Sequence, residues 1–100
     1  MEKIIIILVM PNREPIIQEI KNSTDSLYGL VYYPYEEIQI DKNVYLIYSK
    51  EAKENSFPLC RKYKEINIYS NFVIVARNQN KYMSLNVNQI NKYINMFKLK

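Results

Sequence analysis

One hundred residues, with fourteen Lys/Arg against ten Asp/Glu, form a short basic chain of net charge +4, and that length holds one core, so residues 1–100 are expected to be a single domain. The chain has no histidine, no tryptophan and one cysteine. An intrachain disulfide framework, the usual Cys/His zinc sites and any scheme that needs an imidazole base are therefore excluded, and no catalytic residue, metal or cofactor is expected.

The apolar run Ile4–Met10 is continuous and β-branched, which predicts a strand buried on both faces. It is too short for a membrane span, Glu2 precedes it, and Pro11-Asn12 ends it, so neither a signal peptide nor a membrane helix is expected. The chain is accordingly expected to be cytoplasmic, with Cys60 reduced. Pro11–Pro15 supplies a turn, and Ile16, Ile17 and Ile20 lie in a segment short enough to be the second strand of a hairpin.

Asn22-Ser23-Thr24-Asp25 has the character of a helix start, and Leu27, Leu30 and Val31 give the helix one apolar stripe. Pro34 pushes Tyr33 toward extended backbone. Residues 35–40 and 44–48 read as a hairpin about Asp41-Lys42-Asn43. From Ser49 to Glu65 the sequence is polar, charged and broken by Pro58, which predicts a long loop. Ile66, Ile68 and Phe72–Ala76 restore strand character, Arg77–Asn80 turns, and Tyr82–Leu85 pairs back briefly. Asn86 and Gln89 have capping-box spacing ahead of a helix. Val87, Ile90, Tyr93, Ile94 and Phe97 share one face of it, and Lys92, Lys98 and Lys100 lie toward its C-terminal end. The sum is α+β: a mostly antiparallel sheet of about five strands, a short helix after the first hairpin and a C-terminal helix packed on one face.

Charge is split along the chain. Residues 1–59 carry six cations and nine anions, whereas residues 60–100 carry eight cations and only Glu65. Arg61, Lys62, Tyr63 and Lys64 interleave cations with an aromatic ring, a pattern that suits a phosphate-bearing or single-stranded partner, with Arg77, Lys81 and Tyr82 as an extension. Tyr45, Tyr48 and Tyr69 do not match the fixed aromatic pattern of an RNA-recognition sheet. Tyr28, Tyr32, Tyr33 and Tyr35 cluster around the end of the first helix and would suit a homodimer interface or a partner-binding face. Adjacent Glu36 and Glu37 point to opposite faces of a strand and cannot pair as catalytic carboxylates. Cys60 lacks a base and an orienting group.

Several weak motifs occur together in one order. They are Pro11–Ile20, the capped segment Asn22–Val31, Ser49–Lys53 followed by Phe57–Arg61, Phe72–Val75, and Ser84-Leu85 followed by Gln89–Tyr93. Together they resemble the DUF3846 family, short proteins of phages, plasmids and other mobile elements. Where the family carries paired glycines after the first helix this chain has Tyr32-Tyr33, and the family's loop glycine and asparagine correspond to Ala52 and Cys60. The resemblance implies a mobile-element setting and supplies no catalytic residues.

The expected function is that of a small non-enzymatic binding protein of a phage or mobile element. Its sharp form is an anti-defence inhibitor, such as a CRISPR–Cas inhibitor, that binds a host effector or its nucleotide ligand stoichiometrically. The alternative is a nucleic-acid-binding module that uses the basic second half of the chain. No membrane partner is expected.

Overall fold

The computed structural model describes residues 2–99, so Lys100 lies outside the described residues. The chain runs β1 (Lys3–Val9), β2 (Ile16–Lys21), α1 (Thr24–Tyr28), β3 (Tyr35–Asp41), β4 (Val44–Ser49), β5 (Leu59–Tyr63), β6 (Ile66–Tyr69), β7 (Phe72–Asn78), β8 (Lys81–Met83) and α2 (Val87–Phe97). The fold is α+β, with a main antiparallel sheet of order β2-β1-β7-β4-β3 and the short β8 beside β7. β5 and β6 form a separate antiparallel pair.

β7 shares one of its edges between two strands. Phe72–Ile74 pair with β1, and Ala76–Asn78 pair with β8. β1 then continues past the end of β8, where Ile5 donates its N–H to Ser84 Oγ at 2.8 Å and accepts from the Leu85 N–H at 3.0 Å.

Side-chain alternation divides the core between two faces. On one, Ile7, Val9, Val44, Leu46, Phe72 and Ile74 pack against Tyr93 and Phe97 of α2 and against Cys60 and Ile68 of the β5–β6 hairpin. On the other, Ile4, Ile6, Leu8, Ile47, Val73 and Val75 pack against Leu27 and Val31 around α1. Central β1 and β7 are buried on both sides, which explains their continuous apolar runs. Each such aliphatic side chain contributes about 1.5–3 kcal/mol of burial.

Both helix starts are as the sequence indicates. Ser23 Oγ accepts from the Ser26 N–H at 3.1 Å, and α1, too short to persist alone, is held by fully buried Leu27. Asn86 and Gln89 exchange side-chain-to-backbone bonds of 2.8 Å at the head of α2, closing the capping box.

Two expectations are corrected. The polar stretch 49–65 is not one loop, because its last third is strand β5. β5 hides from pattern reading because a register shift between Leu59 and Arg61 breaks alternation, and because most of its residues are exposed or half-buried. Its turn to β6 is only Lys64-Glu65, with Lys64 in the left-handed region at φ 52° where glycine or asparagine would have signalled a hairpin. α1 also ends sooner than its expected stripe, at Tyr28, so Leu30 and Val31 follow the helix; Val87, on the α2 face it shares with Ile90 and Ile94, is 71% exposed.

Candidate functional site

The residues that follow α1 bring the expected tyrosines together. The Tyr28 and Tyr35 rings lie 4.6 Å apart, and Tyr33 meets Tyr35 edge-on at 5.4 Å. Tyr32 turns instead to Phe57 of the β4–β5 connection, at 4.5 Å. The Lys50 N–H donates to the Pro34 carbonyl at 2.9 Å and ties this segment to the end of β4. Tyr28 and Tyr35 are half-buried, whereas Tyr32 is 39% and Tyr33 72% exposed. The result is an aromatic ledge whose inner rings are fixed and whose outer ring stands in solvent.

A polar network anchors the ledge from below. Glu37 follows Tyr35 by two residues on β3, so both side chains leave the same face of the sheet. Glu37 Oε2 accepts from Tyr82 OH at 2.7 Å and from Tyr28 OH at 3.3 Å, while Oε1 forms an ion pair with the Arg77 guanidinium. That guanidinium lies 4.8 Å from the Tyr45 ring centre and 5.8 Å from that of Tyr82, and Arg77 Nε donates to the Gln79 carbonyl at 2.9 Å. Burial, the Tyr28 bond and the Glu37 carboxylate together hold the Tyr82 phenol well above its ordinary range, so it stays protonated as a donor. The sequence offered Glu37 only as half of an impossible carboxylate pair and Tyr45 only as an unmatched stacking ring, so neither pointed to this network. The usable signal was the two-residue spacing of Tyr35 and Glu37 on a strand, opposite a tyrosine-bearing neighbour.

The expected basic patch is divided. Arg61, Lys62, Tyr63 and Lys64 lie on the β5–β6 hairpin, which covers the α2 side of the sheet, whereas Arg77 and Tyr82 belong to the α1 side and Lys81 is exposed at the β7–β8 turn. Arg61 is also occupied. Its Nε donates to the Phe97 carbonyl at 2.7 Å, Nη1 to the Cys60 carbonyl at 2.8 Å and Nη2 to the Arg13 carbonyl at 2.6 Å. It thus ties together the C-terminal end of α2, β5 and the β1–β2 turn. Lys62 and Lys64 project into solvent, with Lys64 over the Tyr63 ring at 5.5 Å. Tyr45 and Tyr48 lie on opposite faces of β4, and Tyr69 is on the other sheet, so the three share no platform.

Cys60 is buried, with Sγ 3.7 Å from the Val9 carbonyl, and desolvation raises its pKa to about 11 against the opposing pull of Arg61. It lines a depression of about 260 Å³ with Asn12, Lys62, Met96 and Lys98. Among the described residues, no three of Asp, Glu and Cys gather as metal ligands, and no helix is long and apolar enough to cross a membrane.

A small α+β chain with a fixed aromatic ledge and an occupied arginine on each side of its sheet is the class that these features define. The chain belongs to the family described as a domain of unknown function, DUF3846, which matches residues 1–98. No curated protein and no solved structure matches it.

Proposed function

We propose that this chain is a non-enzymatic binding protein that captures a protein partner through the aromatic ledge. The observation that carries this reading is Tyr33, 72% exposed yet packed edge-on against the half-buried Tyr35. An exposed ring on a fixed support offers large contact area at low entropic cost, as binding hot spots do. The state of the other reactive groups supports stoichiometric action: the thiol is buried with a raised pKa, and Glu37 is saturated by Arg77, Tyr28 and Tyr82. The resemblance to mobile-element proteins makes a host defence effector, such as a CRISPR–Cas component, the expected partner, with capture of its nucleotide ligand as a variant.

The test is recovery of a partner from lysate of a defence-bearing host by wild-type protein and by Tyr33→Ser. Retention of a defence protein by the wild type and its loss with Tyr33→Ser is the expected result. Recovery of only chaperones and ribosomal proteins by both would overturn the reading.

Nucleic-acid binding is a second reading, favoured by the adjacent exposed Lys62 and Lys64 beside Tyr63. It requires affinity that falls with log salt by about 0.7–0.9 per neutralised phosphate. Absence of binding to DNA or RNA at low salt removes it.

A further inference from the structure

The main sheet has two outer strands, and they are built differently. β3 carries three carboxylates, Glu36, Glu37 and Asp41, no cation, and a register break between Gln39 and Asp41. Like charges and a bulge are the usual protection of an open edge. β2 has neither device. It pairs with β1 through six consecutive positions without a shift, carries one anion and one cation, and leaves Ile16 39% and Ile17 55% exposed.

The backbone of β2 is also ready to pair. Ile5 spends its N–H and C=O on Ser84 and Leu85, away from β2, and the Asn22 N–H donates to the Glu2 carbonyl at 3.0 Å. Antiparallel alternation therefore turns the even-numbered residues of β2 toward β1 and presents the N–H and C=O groups of Ile17, Glu19 and Lys21 at the open edge. The Lys21 carbonyl also accepts from the Ser23 N–H, and a carbonyl has a second lone pair.

We propose that β2 is the docking edge for a second copy of this chain, joined antiparallel about a two-fold axis at Ile20. That register pairs Glu19–Lys21 of the two copies, sets Ile17 beside the partner copy's Ser23 at the head of α1, and keeps corresponding faces of the two sheets continuous. It sets Glu19 of one copy opposite Lys21 of the other, and the symmetry repeats the ion pair. Centring the axis on Glu19 would oppose two carboxylates, and a β3–β3 join would gather six, Glu37 and Asp41 of each copy being already paired with Arg77 and Lys92. The dimer interface avoids the aromatic ledge, so the assembly presents that ledge twice.

Light scattering on a sizing column over micromolar to millimolar concentrations tests the proposal. The expected mass is about 24 kDa, twice the 12.0 kDa of the chain. Glu19→Lys and Lys21→Glu alter exposed side chains, the one ion pair touched being the exposed 4.0 Å contact of Glu19 with Lys3 of its own chain, so each is expected to move the circular-dichroism melt little while weakening self-association roughly tenfold. The double reversal restores it. A mass of 12 kDa throughout, a dimer indifferent to both reversals, or Glu19 and Lys21 amides protected from exchange only when another protein is added would each overturn it. None of these readouts involves Tyr33, so failure here is separable from failure of partner capture.

Discussion

The two faces of the sheet solve the same problem with different chemistry. The α2 face is apolar almost throughout, with Phe72 meeting Phe97 edge-on at 5.1 Å and polar groups confined to its margins. At one margin Asp41 accepts from Lys92 Nζ at 2.6 Å and from Tyr93 OH at 3.1 Å, pinning α2 to the β3–β4 turn. The α1 face has a much shorter helix, and its uncovered part is filled by tyrosines around the Glu37–Arg77 pair. The covered face secures the fold, whereas the half-covered face holds rings in place without hiding them. That combination is what a binding surface requires.

Phe72→Ala empties the dry face and is expected to cost about 3–5 kcal/mol, read by urea denaturation. A cost below that of any change at Glu37 would break the distinction between the faces. Glu37→Gln leaves Arg77 and Tyr82 without their carboxylate in a half-buried site and is expected to cost about 2 kcal/mol. Its effect should be non-additive with Arg77→Met in a double-mutant cycle. Arg61→Lys removes the planar fork that reaches the carbonyls of Phe97, Cys60, Arg13 and Met10 and is expected to cost about 1–2 kcal/mol, with fraying of the end of α2 visible in amide exchange.

A smaller effect concerns acid. Bonds from Lys92, the Lys42 N–H and Tyr93 hold the Asp41 carboxyl at about 2, below its ordinary 3.8. The folded chain therefore binds that proton less readily than the unfolded one, so the stabilisation is complete above pH 3.8 and is lost as pH falls toward 2. Asp41→Asn should flatten this part of the acid-denaturation curve, and an unchanged curve would assign the acid sensitivity elsewhere. Smallest of all, Tyr33→Ser should move stability by no more than about 0.5 kcal/mol, because the outer ring is mostly in solvent and meets the fold through its edge contact with Tyr35.

Strands with strong local signals were legible in the sequence. Ile4–Met10 read as a buried strand and Phe72–Ala76 as a strand, both of them apolar runs because both of their faces are covered, and the Asn86–Gln89 spacing announced α2. The β5–β6 hairpin was not legible, since its turn places a lysine at positive φ and its strand alternation is broken. At the sites, the tyrosine cluster was visible as a local run. The partition of the cations was not, because Arg61 and Arg77 find their partners 36 and 40 residues away, on opposite sides of the sheet. Such pairings follow from strand order, which composition and spacing do not encode.

On the proposed function, the exposed tyrosine ledge binds a protein partner mole for mole. Calorimetric titration of the captured partner into this chain and into Tyr33→Ser measures that stoichiometry. Saturation at one partner per chain, affinity weakened at least tenfold by the substitution, and a melt shifted by no more than about 4 °C are expected. Full affinity in Tyr33→Ser, or continuing heat from many product equivalents per chain, would contradict it.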